Sequence, residues 1–179
     1  MCRGRGRLSG RLLPRLAPGR SVWPGVFMEE IVALHEQSVG ATDEWYTPPY
    51  VFKALGCRFD LDVAHPGLPY ADWVPADALV THDSLNREWT GFVWMNPPFG
   101  GRNGLVPWLD KFAAHGDGIC LVPDRTSAPW WQAMAARVDA ILFVAPKIKF
   151  IGRDGKEGRS PAQGTSLMAS GHRGGLRFG

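Results

Sequence analysis

Four consecutive residues, Asn96-Pro97-Pro98-Phe99, form a corner that could hold and activate an amine. A residue that precedes proline is pushed out of the α region, so Asn96 and Pro97 must both stay extended. The chain therefore leaves the apolar run FVWM stiffly, with the Asn96 side chain and the Pro97 carbonyl able to face one outside spot. Proline has no N–H, so the corner offers acceptors rather than donors. Two adjacent acceptors suit a planar exocyclic amine, which presents two N–H groups. Holding those hydrogens favours a tetrahedral nitrogen whose lone pair is nucleophilic, with no side-chain base required. Phe99 adds a face on which an aromatic ring can stack.

Two more apolar runs end in polar residues: Asp62 in FDLDVA, and Pro123-Asp124-Arg125 after GICLV. In an open α/β sheet, ligands bind beyond the carboxyl ends of the strands, so these three ends would converge on one edge. Asp60, two residues earlier in the same run, competes with Asp62. Downstream, Lys147, Lys149, Arg153, Lys156 and Arg159 still net +3 after Asp154 and Glu157 are counted. That cluster reads as a phosphate-binding rim or as a solvated loop, and Arg125 is placed to join it. The histidines show no ligand spacing, and none is read as a metal site. Trp130 and Trp131 read as core, whereas Trp45 stands beside the expected pocket.

The elements that must position these groups follow from patterning. Strands are predicted at 59–64, 92–96, 118–123 and 140–145, the last two as buried apolar runs. A short helix over 48–55 has Thr47 as its cap and Gly56 as its stop. Leu105, Trp108, Leu109 and Phe112 make one stripe of a helix over 105–115 that Gly116 ends. A third helix starts from Ser127 and runs to about Arg137. KIKFI and TSLMA read as two closing strands around the polar stretch GRDGKEGRSPAQG. Helices alternating with apolar strands predict a parallel sheet covered on both faces.

Composition agrees with one folded domain. The chain has 179 residues, 45% of them hydrophobic, enough for a core. Three distant cysteines without a CxxC argue against a disulfide scaffold or a structural zinc, and fit a reducing cytoplasm. No stretch has the roughly 18 apolar residues of a membrane helix. The net charge of +3 is uneven: six of the 20 basic residues lie in 1–27, which has no acid, leaving 14 against 17 acids in the rest. Residues 1–27, rich in Gly, Pro and Arg, read as a basic arm for nucleic acid or as sequence upstream of a true start at Met28. The acidic opening MEEIVALHEQ favours the start at Met28, leaving 28–179 as the working domain.

The segments DEWYTP (43–48), FDLDVA (59–64), HDSLNREW (82–89), VWMNPPF (93–99), LVPDRTSAPWW (121–131), KIKF (147–150) and TSLMA (165–169), in this order, resemble the phage-type DNA N6-adenine methyltransferase (Dam) family. The resemblance implies a single-domain, doubly wound, mostly parallel Rossmann-like α/β fold. It also implies methyl transfer from S-adenosylmethionine to the N6 amino group of a flipped-out adenine in DNA. Asn96 and Pro97 would accept from that amine, with Pro98 and Phe99 completing the catalytic corner. Tyr46, Thr47, Pro48, Asp62 and Asp83 would hold the donor. Arg125, Lys147, Lys149, Arg153 and Lys156 would meet DNA. No metal, membrane or obligate protein partner is implied, and the setting is the cytoplasm of a bacterial or phage-infected cell. The pattern departs from such enzymes after the first strand, where His65-Pro66-Gly67 has one glycine instead of a Gly-rich loop. Asp72 and Asp77 are the weak candidates for a ribose-gripping acid. Rival activities are methylation of RNA adenine or of a protein glutamine; a non-catalytic DNA- or donor-binding module is the other rival.

Overall fold

The computed structural model describes residues 45–99, 104–171 and 174. The segment 1–27 and the opening at Met28 lie outside the described residues. The strands are β1 (Phe59–Asp62), β2 (Ala76–Leu79), β3 (Val93–Met95), β4 (Gly118–Pro123), β5 (Ala140–Phe143) and β6 (Thr165–Ser170). The helices are α1 (Pro49–Leu55), α2 (Val106–His115) and α3 (Pro129–Ala135), with a 3-10 turn at Ser84–Asn86.

One sheet holds all six strands in the order β2-β1-β3-β4-β6-β5. β1 runs parallel to β2 and β3, and β3 runs parallel to β4. β6 is antiparallel to both of its neighbours, β4 and β5. The architecture is therefore mixed α/β, and the expectation of a mostly parallel sheet is corrected on the β6 side. TSLMA is a strand as expected, paired along its whole length from Gly118↔Ser170 to Pro123↔Thr165. KIKFI is not. Ile148 and Phe150 of that run are buried in the core, but among the described residues it pairs through no more than isolated bridges of Ile151 to Tyr46 and Glu157. Nor is β5 the buried strand its composition predicted, because it forms an edge with Leu142 and Phe143 exposed.

Alternation along the strands splits the core in two. Val93, Met95, Cys120, Val122 and Met168 face Leu105, Leu109 and Phe112 beside α2, and Trp131 and Met134 of α3. Trp94, Ile119, Leu121, Leu167 and Ala169 face Val51, Phe52 and Leu55 of α1. Central strands buried on both faces read as continuous apolar runs, which is why GICLV was legible as a strand. Trp131 is core as read, and burial pushes the Cys120 thiol up, away from reactivity.

The helix starts differ from the sequence reading. Pro48, not Thr47, occupies the cap of α1, and Ala128, not Ser127, that of α3. None of these three helices has a side-chain cap bond; instead each begins with proline in its first turn, whose missing N–H needs no partner. A cap contributes about 1 kcal/mol, whereas burying one Leu or Phe contributes about 2 kcal/mol. Packing of Leu109 and Phe112 thus outweighs the missing cap of α2. Gly56 and Gly116 end α1 and α2 as predicted, in left-handed conformation at φ 60° and 76°.

Candidate active site

The site is built on the carboxyl ends of β1 and β3. Asp62 is in register with Trp94, and Leu61 with Val93. Val93 belongs to the α2 face and Trp94 to the α1 face, so Asp62 points to the side covered by α1. Asn96, two residues beyond Trp94, turns to the same side: its Nδ2 donates to the Trp45 carbonyl at 3.1 Å. The two ends of a planar amide point apart, so anchoring the nitrogen turns Oδ1 away from Trp45 as an acceptor. The next residue, Pro97, is buried, while Pro98 and Phe99 are exposed.

The segment Trp45–Pro48 leads directly into α1. Tyr46 is buried and exchanges two main-chain bonds with Ile151, at 2.8 and 2.9 Å. Thr47 is buried, its carbonyl accepting from Trp73 Nε1 at 2.9 Å, and its Oγ1 is buried without a hydrogen-bond partner. Tyr46, Tyr70, Trp73 and Arg153 line a cavity of about 100 Å³ beside this segment.

Asp62 is 3% exposed, and its Oδ1 accepts from the Ala64 N–H at 3.0 Å. Burial raises its pKa from 3.8 to about 7, against the opposing effect of that hydrogen bond. Among the described residues no cation pairs with it. Asp60 sits at the other end of the sheet, where its Oδ2 accepts from the Phe92 N–H at 2.6 Å just before β3. Of the two acids, only Asp62 is at the carboxyl edge.

The turn after β1 is held by a side chain in place of a run of glycines. Buried His65 accepts at Nδ1 from the Gly67 N–H at 3.0 Å, and Nε2 lies 3.2 Å from the Ala71 carbonyl. Nδ1 as acceptor leaves the proton on Nε2, which donates to Ala71. Burial lowers the pKa of His65, in keeping with a neutral ring. Its role escaped the sequence reading, which tested histidines for ligand spacing.

β2 also went unread, because ADAL has no period and is largely exposed. Asp77 is the second residue of that strand and pairs with Arg58 in the open, while Asp72 is exposed in the preceding loop. The acid that follows the carboxyl end of β2 is Asp83, exposed and left-handed at φ 55°, with Asn86 Nδ2 donating to its Oδ1 at 2.6 Å. Lys111 of α2 braces this segment. Its Nζ donates to the carbonyls of Ser84 and Leu85 at 2.9 Å each and to that of Arg87, and lies 4.8 Å from the centre of the Trp89 ring. No local pattern marks Lys111, since its partners lie more than 20 residues upstream.

The basic residues gather along one loop. Arg125 is tied to the end of this loop, its Nε donating to Gln163 Oε1 at 2.8 Å. Lys147 donates to the Pro161 and Ala162 carbonyls at 3.2 and 2.5 Å, and Lys149 pairs with Glu157 at 3.1 Å. The Arg153 guanidinium lies 5.1 Å from the centre of the Tyr70 ring, and Lys156 is exposed. Lys147 is thus a brace, while Lys149 and Lys156 face solvent. Among the described residues no helix is long and apolar enough to cross a membrane, and no three His, Cys, Asp or Glu side chains cluster as a metal site requires.

No curated protein and no solved structure shows a significant match to the chain. A family model described as DNA N-6-adenine-methyltransferase (Dam) matches residues 36–170. That span contains the whole sheet and all the residues just placed at its carboxyl edge. The chain belongs to the DNA N-6-adenine-methyltransferase (Dam) family.

Proposed function

We propose that this chain transfers a methyl group from S-adenosylmethionine to the N6 amino group of adenine in DNA. The observation that carries the reading is the Asn96 amide, fixed by the Trp45 carbonyl so that its oxygen is the acceptor. A substrate carboxamide or adenine amine presents N–H groups, and an amide turned the other way would repel them. Helices on both faces support a doubly wound, Rossmann-like sheet in which β6 is the antiparallel member.

The residues present fit the donor. Among the described residues the buried Thr47 Oγ1 lacks a hydrogen-bond partner and no cation pairs with the buried Asp62 carboxyl. Asp62 suits an ammonium, Asp83 the amine of the donor's adenine, and Tyr46, Thr47 and Pro48 the wall beside them. When bound, S-adenosylmethionine supplies an electrophilic methyl group on a sulfonium. Asn96 Oδ1 and the Pro97 carbonyl hold the two hydrogens of the target amine, and Phe99, 36% exposed, stacks on the extruded base. Flipping a base costs a few kcal/mol, which stacking and edge contacts offset. Catalysis is then positioning and electrostatics, and the methylated N6 sheds one of its two held protons past these acceptors to solvent, with no side-chain base. Arg125, Lys149, Arg153 and Lys156 meet phosphates around the site; Lys147 holds the loop that carries them.

Expression in a methylation-deficient bacterial host, followed by sequencing for modified bases, tests the proposal. N6-methyladenine in a defined sequence context is the expected result and would also protect plasmid DNA from a matching restriction enzyme. Unmodified DNA, with label from the donor appearing in RNA or in protein glutamine, overturns it.

A further inference from the structure

We infer that Trp45 is a positioning residue, joining the basic turn at 149–159 to the Asn96 amide. The inference rests on the role of Asn96 proposed above. Three contacts in series carry it. The indole lies on a floor of two glycines: a Cβ on Gly158 would fall 2.6 Å from Trp45 Cζ3 and 3.1 Å from Cη2, and one on Gly152 would fall 3.7 Å from Cζ3. The adjoining residue, Tyr46, is tied to the same turn by its paired bonds with Ile151. The Trp45 carbonyl then takes the Asn96 N–H.

The turn itself is closed by its own main chain, Gly152 N–H to Lys156 carbonyl at 2.9 Å and Gly158 N–H to Phe150 carbonyl at 2.7 Å. Nothing in this series depends on a long flexible side chain. Trp45 is nevertheless 41% exposed, more than a ring whose only use is to fill the core. The turn carries Lys149, Arg153 and Lys156, the cations suited to DNA phosphates. One rigid piece therefore sets where the DNA backbone rests and which way the Asn96 oxygen points. Seating of phosphates on the turn places the flipped amine in register with its acceptor. A displacement of about 1 Å at such a site can cost a hundredfold in rate, so the seat of Trp45 matters to chemistry more than to folding.

The test uses the full chain with Trp45→Ala, Trp45→Phe and Gly158→Ala, measuring methyl transfer to adenine-containing duplex DNA, calorimetric binding of the donor, and melting temperature. Trp45→Ala is expected to lower kcat by about tenfold or more, with donor affinity and the KM for DNA each within about twofold. Trp45→Phe, whose ring can rest on the same glycine floor, restores most of kcat. Gly158→Ala puts one methyl under the ring, and 3.2 Å from the Phe150 carbonyl, and gives an intermediate loss of kcat with donor affinity unchanged. Should Trp45→Ala fail to fold, Gly158→Ala decides on the same criteria. A Trp45→Ala chain with parental kcat and a raised KM for DNA overturns the inference and makes Trp45 a DNA contact. A Trp45→Phe chain as slow as Trp45→Ala also overturns it. A parent chain that methylates no adenine overturns the underlying assignment of function, and this inference falls with it.

Discussion

Asp62 is in register with Trp94 across β1 and β3, which places it beside the strand that leads into Asn96, two residues short of that side chain. With strands about 4.8 Å apart and rising about 3.3 Å per residue, the two Cα atoms are about 8 Å apart. A buried carboxyl with no cation beside it among the described residues and an outward-turned amide oxygen thus share one face of the sheet. The first seeks a cation, the second an N–H. Their different demands allow each to be tested separately.

Asn96→Ala removes one of the two acceptors proposed for the reacting amine and leaves the Pro-Pro corner in place. The expected loss is on the order of 10²–10³ in kcat, by comparison with deletion of one preorganised polar contact. Calorimetric titration should find donor affinity unchanged. A variant that methylates DNA at near the parent rate would mean that the active site lies elsewhere.

Asp62 predicts an unusual pH dependence. Its native pKa of about 7 lies above the ordinary 3.8, so between these values the folded chain holds a proton that the unfolded chain has released. Its contribution to donor-free stability is full below the unfolded pKa, declines as pH rises through this window, and is gone above the folded pKa. The amount is on the order of 4 kcal/mol. Asp62→Asn keeps an acceptor for the Ala64 N–H but cannot ionise. Urea unfolding at pH 5 and pH 8 should show a smaller difference in the variant than in the parent. Donor affinity should rise with pH in the parent, as the carboxylate forms, and be weak and flat in the variant. Equal pH profiles for the two chains would remove Asp62 from the donor site.

Lys111→Met should loosen the segment that carries Asp83. Three carbonyls converge on one ammonium, so its removal is expected to cost about 1–3 kcal/mol in stability, read by urea unfolding. Donor affinity should fall several-fold with kcat at saturating donor near the parent value. Lys111→Arg should not rescue, because a planar fork cannot direct its bonds to one point. Rescue by arginine would show that charge alone was needed.

Lys156→Ala and Lys147→Ala should separate phosphate contact from bracing. The first is expected to lower the salt dependence of DNA binding by about one unit of log–log slope at unchanged stability. Lys147→Ala opens the link to Pro161 and Ala162 and should lower the melting temperature instead. Identical salt slopes for parent and Lys156→Ala would take this turn out of the DNA interface.

The sequence by itself determined which strand ends carry polar residues and which elements burial makes periodic. NPPF, Asp62, the GICLVP strand, the α2 stripe and the glycine stops were legible because proline stiffness, two-sided burial and left-handed backbone are local properties. The tertiary structure decided what depends on neighbours distant in the chain. KIKFI looks like a strand because Ile148 and Phe150 alternate, yet they fill the core while their backbone pairs almost nowhere. β5 is as apolar as β4 but lies at the edge, and β2 pairs with β1 without any apolar pattern. The orientation of Asn96 is set by Trp45, 51 residues earlier, and the segment of Asp83 is held by Lys111, more than 20 residues later. A hydrogen bond between such residues leaves no periodic trace, since it depends on where packing brings the two backbones together.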